Sequence, residues 1–213
     1  MNERELERLL DLAATIYVIG ADIATHSGVA VFRVAKGSAL GLHATRGGKD
    51  HGVCLRSALS FSRGDEWRAA GTILTETAEA GPILVAWEDQ YLGKNPRSVA
   101  QVVAARARFL YAVELRAEQR GRRHDLHEVA VSPTAWQSRV LGRARGKVRS
   151  TIKATSNERA PQIAALCGSF LRPHDDVADA TCIGLHEVAR HFTIDLAAIR
   201  GESGAVGERP GRR

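Results

Sequence analysis

Two apolar runs of strand length, IYVIGAD (16–22) and ILVAWE (83–88), each end on a carboxylate, Asp22 and Glu88. A strand of Ile, Val, Leu and Trp without polar alternation is buried on both faces, which requires helices above and below its sheet. An acid at the end of such a strand sits at the border of the core, where a lone carboxylate is costly to desolvate. If the two strands are parallel neighbours, both acids come to the same sheet edge. There they repel, and one takes up a proton unless a cation lies between them.

The rest of the chain supplies the other strands and the covering helices. Leu6, Leu9, Leu10 and Ala13 recur at helical spacing, so residues 1–15 read as an N-terminal amphipathic helix. GVAVFRV (28–34) is a second strand, reached by a short turn after Asp22. Residues 35–64 are ambiguous, with a third strand expected near 40–45 or 52–56. Trp67, Ala70, Leu74, Thr77 and Ala78 share a helical face over 65–80, and Gly81-Pro82 ends that helix. A long helix is expected over 97–119 and a strand over 127–132. Ser132-Pro133 opens a short helix. Thr155-x-x-Glu158 is a capping box for a helix running to about Gly168, and Pro161 inside it argues for a later start. Arg172-Pro173 breaks the chain before a last helix over 174–190. Early strands joined by tight turns point to antiparallel pairs, and later strands alternating with helices point to parallel crossovers. The expected fold is α/β, a mixed five-stranded sheet with helices on both faces, spanning 16–192. The Gly/Arg-rich segment 193–213 is expected to be a flexible tail.

The three cysteines, Cys54, Cys167 and Cys182, are far apart and form no CxxC pair, which excludes a zinc ribbon or a dithiol redox motif. An odd cysteine count in 213 residues fits a reducing compartment. No apolar run approaches the roughly 18–20 residues of a membrane span, and MNERELERLL is too charged for a signal peptide. The expectation is a cytoplasmic protein without membrane contact. Its formal charge is +6. The run RVLGRARGKVRSTIK (139–153) holds Arg139, Arg143, Arg145, Lys147, Arg149 and Lys153 and no acid, so this segment alone equals the excess. A flexible basic run of that kind points to phosphate and a polyanionic partner.

A third source of carboxylate is the last helix, where Asp176 and Asp179 are three residues apart and share a face. Asp175, four before Asp179, is a rival for that face. Strand-end acids, an acidic helix start and a basic loop make one chemical proposal. Hard oxygen ligands hold Mg²⁺ or Mn²⁺, with phosphate completing the shell, and two such ions could activate water against a phosphodiester. The histidines His26, His43, His51, His124 and His127 form no metal spacing, and His186 and His191 are expected in polar surroundings.

The same residues carry a family resemblance. E-D-Q-Y-L-G-K-N (88–95) is similar to the segment of RuvC-type Holliday junction resolvases, in the RNase H-like superfamily, that holds a catalytic Glu, an aromatic and Lys-Asn. S-V-A-Q-V-V-A-A-R (98–106) resembles the helix that follows it. H-D-D-V-A-D-A (174–180) resembles the family's D-x-x-D-A, and V-I-G-A-D (18–22), with Gly28 shortly after, resembles its first catalytic strand. The Pro-Gly that follows the first Asp in the family is Ile23-Ala24 here, and the turn is about one residue shorter.

The resemblance implies an RNase H-like fold and a metal-dependent, structure-selective endodeoxyribonuclease that nicks four-way junctions in pairs, in recombination, repair or genome processing. It makes Asp22, Glu88, Asp176 and Asp179 the catalytic metal-binding acids, with Asp175 or His174 as rivals of Asp176, and two Mg²⁺ or Mn²⁺ per site. Tyr91, Lys94, Asn95, Lys147, Arg149 and Lys153 become the DNA contacts. It implies a homodimer that sets two sites on one branched DNA, with helix 97–119 as the candidate contact. Alternatives are a related nuclease acting on an RNA–DNA hybrid or other branched DNA, and a binding module of the same fold without catalysis.

Overall fold

The computed structural model describes residues 3–24, 26–77, 79–89, 96–142, 148–171 and 174–200. Alternation along the first buried strand dictates the layers. In β1 (Thr15–Asp22) the side chains of Ile16 and Val18 enter one apolar cluster, and those of Tyr17, Ile19 and Ala21 enter another on the opposite face. β5 (Ile83–Glu88) divides the same way, with Leu84 and Ala86 on the first face and Ile83 and Val85 on the second. Each Ile, Val or Leu side chain withdrawn from water in this way contributes about 2 kcal/mol.

β1 continues into β2 (His26–Lys36) as an antiparallel hairpin. The turn that replaces Pro-Gly is closed by Ser27, whose Oγ accepts from the Ala24 N–H at 3.2 Å and bonds to its carbonyl. β3 (Leu42–Arg46) and β4 (Lys49–Ser62) form a second hairpin whose tip glycines, Gly47 and Gly48, both have positive φ. Both candidate stretches for the third strand are therefore strands. β6 (Leu126–Val131) lies parallel to β5, and β7 (Thr193–Ile194) pairs with β3. The sheet has seven strands in the order β6-β5-β1-β2-β4-β3-β7, two more than expected. The extra strands are the other half of the second hairpin and a two-residue edge too short to leave a sequence period.

The first face is covered by α1 (Glu3–Leu12), α4 (Pro133–Val140), α5 (Arg149–Leu166), α6 (Asp175–His191) and the one-turn α7 (Ala197–Arg200). The second is covered by α2 (Glu66–Glu76) and α3 (Pro96–Gln119). β7 and α7 lie in the segment expected to be tail, and Leu196 and Ile199 are buried. The remainder of that tail, 201–213, lies outside the described residues. In α2 the buried face is Ala69, Ala70, Ile73 and Leu74, while Trp67 is exposed and stacks on the Arg116 guanidinium. α5 begins six residues before the expected capping box. Thr155 is no cap, because its hydroxyl donates back to the Thr151 carbonyl within the helix. Pro161 is carried inside α5, where burial of Ala160, Ile163 and Ala164 outweighs the one backbone bond it forfeits. No helix among the described residues is long and apolar enough to cross a membrane.

Candidate active site

β1 and β5 pair in parallel with Ala21 opposite Trp87, so the next step of the register sets Asp22 beside Glu88. Both lie in even positions of their alternation, on the face covered by α6. Two strands of the same direction and phase thus deliver two acids to one end and one face of the sheet.

α6 brings the others. It crosses β1 and β2 with no room for side chains between the backbones. A Cβ on Gly20 would lie 2.1 Å from the Ala180 carbonyl oxygen, and one on Gly28 would lie 2.0 Å from that of Asp176. A Cβ on Gly184 would strike the Phe32 ring at 2.6 Å. Glycine at these three places lets the first turns of α6 rest directly on the strands, which sets Asp176 and Asp179 against Asp22. Both positions are early in the helix, where its dipole favours negative charge.

Asp22 is 9% exposed and Asp179 is 6% exposed. Burial, then the charge of Asp179, raises the Asp22 carboxyl to about 7, against the counter-effects of Lys153 and Arg149. Asp176 also raises it. Burial pushes Glu88 to about 8, with Asp22 and Asp179 adding to the rise. The nearby Trp136 indole offsets part of that without reaching hydrogen-bond geometry. Asp176 is thus the member of the acidic pair whose charge reaches Asp22. Asp175 is exposed and accepts from the Asn157 amide, and His174 is exposed with Nδ1 3.8 Å from Asp176.

α5 supplies the positive side. Lys153 Nζ lies 2.6 Å from Asp179 Oδ2 and 4.0 Å from Asp22 Oδ2. Burial works against the ammonium, but the hydrogen bond to Asp179 and the charges of Asp179, Asp22 and Asp176 outweigh it and hold its pKa above the ordinary range. Arg149 opens the same helix and its charge reaches Asp22. Ser156, fully buried, donates from Oγ to Asp179 Oδ1 at 2.6 Å. Sequence reasoning missed Ser156. Its signal was the three-residue spacing from Lys153, visible only once α5 is started at Arg149. Tyr91, Lys94, Asn95 and Lys147, expected as DNA contacts, lie outside the described residues. His186, expected in polar surroundings, has Arg139, Glu187 and Arg190 near it but is only 5% exposed, and burial together with Arg139 lowers its pKa to about 4.

Among the described residues four carboxylates meet two cations, so Asp22 and Glu88 keep their protons up to about 7 and about 8, and hard oxygen donors of this kind fit Mg²⁺ or Mn²⁺ in chemistry. In placement they do not yet close on an ion. Among the described residues no three His, Cys, Asp or Glu side chains are grouped so as to hold one metal. The Lys153 ammonium lies between Asp179 and Asp22 instead.

No protein-family model matches the chain, and no curated protein matches it. Among solved structures it is similar to Thermus thermophilus RuvC, at a TM-score of 0.50 and 18% identity, covering 83% of this chain and 95% of that one. T. thermophilus RuvC in complex with a Holliday junction substrate is similar at a TM-score of 0.50 and 16% identity, covering 84% and 96%. The Fowlpox virus resolvase in complex with Holliday junction DNA matches at a TM-score of 0.45 and 14% identity, covering 83% and 97%. At such identities the likeness is one of architecture, and the chain has a mixed α/β, resolvase-like fold.

Proposed function

We propose that this chain is a metal-dependent, structure-selective endodeoxyribonuclease of the RNase H-like type, acting on four-way DNA junctions. The observation that carries the reading is the convergence of Asp22, Glu88, Asp176 and Asp179 at one end of the sheet with too few cations among the described residues to neutralise them. A structural role would not need that surplus. A phosphodiesterase does, because divalent ions bound there supply Lewis-acid stabilisation of the scissile phosphate and a nucleophilic water at neutral pH.

The four acids would hold the ions. Ser156 fixes the plane of the Asp179 carboxylate, and the close seating of α6 on Gly20 and Gly28 keeps it facing Asp22. Arg149 and Lys153, with Lys147 in the adjoining basic run, attract the DNA backbone, while Tyr91 would stack on bases and Lys94 and Asn95 would contact DNA beside the cleft. The substrate class is suggested by the similar T. thermophilus RuvC in complex with a Holliday junction substrate. A homodimer with α3 as contact fits a substrate of near-twofold symmetry, and Val103 and Tyr111 are exposed on that helix.

The test is an Mg²⁺ titration on a synthetic four-way junction, a linear duplex and an RNA–DNA hybrid. Expected are paired nicks on the junction, little cutting of duplex or hybrid, and loss of cutting in Asp22→Asn with junction binding retained. Preferential cutting of the hybrid would move the assignment to a hybrid nuclease. Junction binding without cutting under any divalent ion would make the chain a binding module.

A further inference from the structure

Resting on the nuclease reading, we infer that Lys153 is the resident counter-ion of the carboxylate cluster and that a divalent cation enters the site by displacing its ammonium from Asp179. Asp179 Oδ2 is committed to Lys153 Nζ at 2.6 Å, and Asp179 Oδ1 accepts from Ser156 at 2.6 Å. Both oxygens of the buried Asp179 carboxylate therefore already accept a hydrogen bond. The ammonium also lies 4.0 Å from Asp22 Oδ2, so it bridges an acid from β1 and an acid from α6. An ion held by both strand and helix acids would compete with that ammonium, which accounts for four neighbouring carboxylates of which, among the described residues, no three are grouped to hold a metal.

The two partners of Asp179 differ in what they can give up. The Ser156 hydroxyl is fully buried on a short stem and stays, holding the carboxylate in its orientation. The Lys153 side chain is 26% exposed. Its four-carbon stem can swing the ammonium to solvent without moving α5. Exchange of one monovalent for one divalent cation on Asp179 Oδ2 requires no change in the backbone, where the sheet and α6 are already in contact. The lysine thereby sets the threshold of metal affinity. It covers the charge until a divalent ion outbids it.

The experiment is calorimetric titration of MnCl₂ alone, at pH 8 and low salt, into the full chain, Lys153→Met, Lys153→Gln and Arg149→Met. Arg149 also acts on Asp22, but it makes no ion pair with Asp179, and so controls for diffuse charge. Expected is Mn²⁺ binding about tenfold tighter in both Lys153 variants and less than about threefold tighter in Arg149→Met, since Coulomb repulsion falls with distance and dielectric screening. Equal gains in all three variants would overturn the displacement and leave only general electrostatics. Mn²⁺ binding by the parent with no gain in either Lys153 variant would overturn the inference while leaving the nuclease reading standing. No Mn²⁺ binding by any of the four proteins would overturn both.

Discussion

At its N-terminal end α6 presents Asp176 and Asp179 to Asp22 and Glu88. At its C-terminal end it buries Glu187 beside His191, which bridges Glu187 and Glu7 at 2.9 Å on either ring nitrogen. Arg46 closes that second cluster, reaching Glu7 at 2.7 Å, Asp11 at 2.8 Å and the His191 carbonyl at 2.8 Å, and Arg190 lies 3.4 Å from Glu187. Both ends bury acids, and they treat them oppositely. Burial tends to raise Glu7 and Glu187, but hydrogen bonds from Arg46 and His191 and the nearby positive charges bring both below the usual carboxylate range. Asp22 and Glu88 are left far above it. The C-terminal cluster meets three acids with two arginines and a histidine and serves to clamp α1 and β3 to α6. The N-terminal cluster keeps an appetite for positive charge. That contrast is the one expected between a buried acid that holds the fold and one kept for chemistry.

The strongest way to break the contrast is to neutralise one acid at each end. Asp22→Asn is expected to cut junction cleavage by at least about a hundredfold, as loss of a carboxylate that would hold a catalytic ion does, while leaving the urea midpoint unchanged or higher. Glu187→Gln is expected to do the reverse. It strips the fully buried partner from His191 and Arg190 and costs about 3 kcal/mol in urea unfolding, with cleavage per folded molecule retained. If Glu187→Gln abolished cleavage in fully folded protein, the division of roles would be wrong.

The pH dependence of stability sharpens the same point. Asp22 and Glu88 have folded pKa values raised to about 7 and about 8, so the native state holds their protons more tightly than the unfolded chain does. Their ionisation costs nothing below the unfolded values near 4, and costs progressively more as pH rises through 7 to 8. Glu7 and Glu187 act with opposite sign. Their stabilisation is present above pH 4.5 and is lost as pH falls through their lowered values. Melting of chelator-treated protein should therefore weaken on both sides of mildly acid pH. Asp22→Asn should flatten the alkaline limb by a few kcal/mol, at about 1.4 kcal/mol per pKa unit, and saturating Mg²⁺ should flatten it in the parent. An alkaline limb unchanged in Asp22→Asn would remove the claim of uncompensated charge. The smallest effect is expected from Arg46→Met, which releases the α1 clamp at roughly 1–2 kcal/mol and exposes residues 3–12 to proteolysis, with the junction-cleavage rate unaltered.

Much of the N-terminal cluster was legible in the sequence, because two double-faced strands ending on acids permit little else. Their phase and common direction follow from IYVIGAD and ILVAWE once helices are required on both faces. What stayed hidden was tertiary. The Thr155–Glu158 pattern imitates a helix start, and only packing against α6 reveals that α5 begins at Arg149 without a side-chain cap. That error hid Ser156, and with it the commitment of both Asp179 oxygens. The second hairpin was obscured by its glycines, Gly41, Gly47 and Gly48, which read as loop but serve as turn residues at positive φ. β7 and α7 were unreadable because two strand residues and one helical turn carry no period. The C-terminal cluster joins residues as distant as Glu7 and His191, which no local pattern links.

The glycine seam under α6 has one more consequence. Where main chain rests on main chain, spacing is inherited from covalent geometry and leaves no slack for side chains to absorb. The distance between the strand acids and the helix acids is then a property of the scaffold, open to adjustment only through the length of the acid itself. Exchanging Asp for Glu on this chassis would alter ionic-radius preference in discrete steps, as swapping jaws does on a fixed vice.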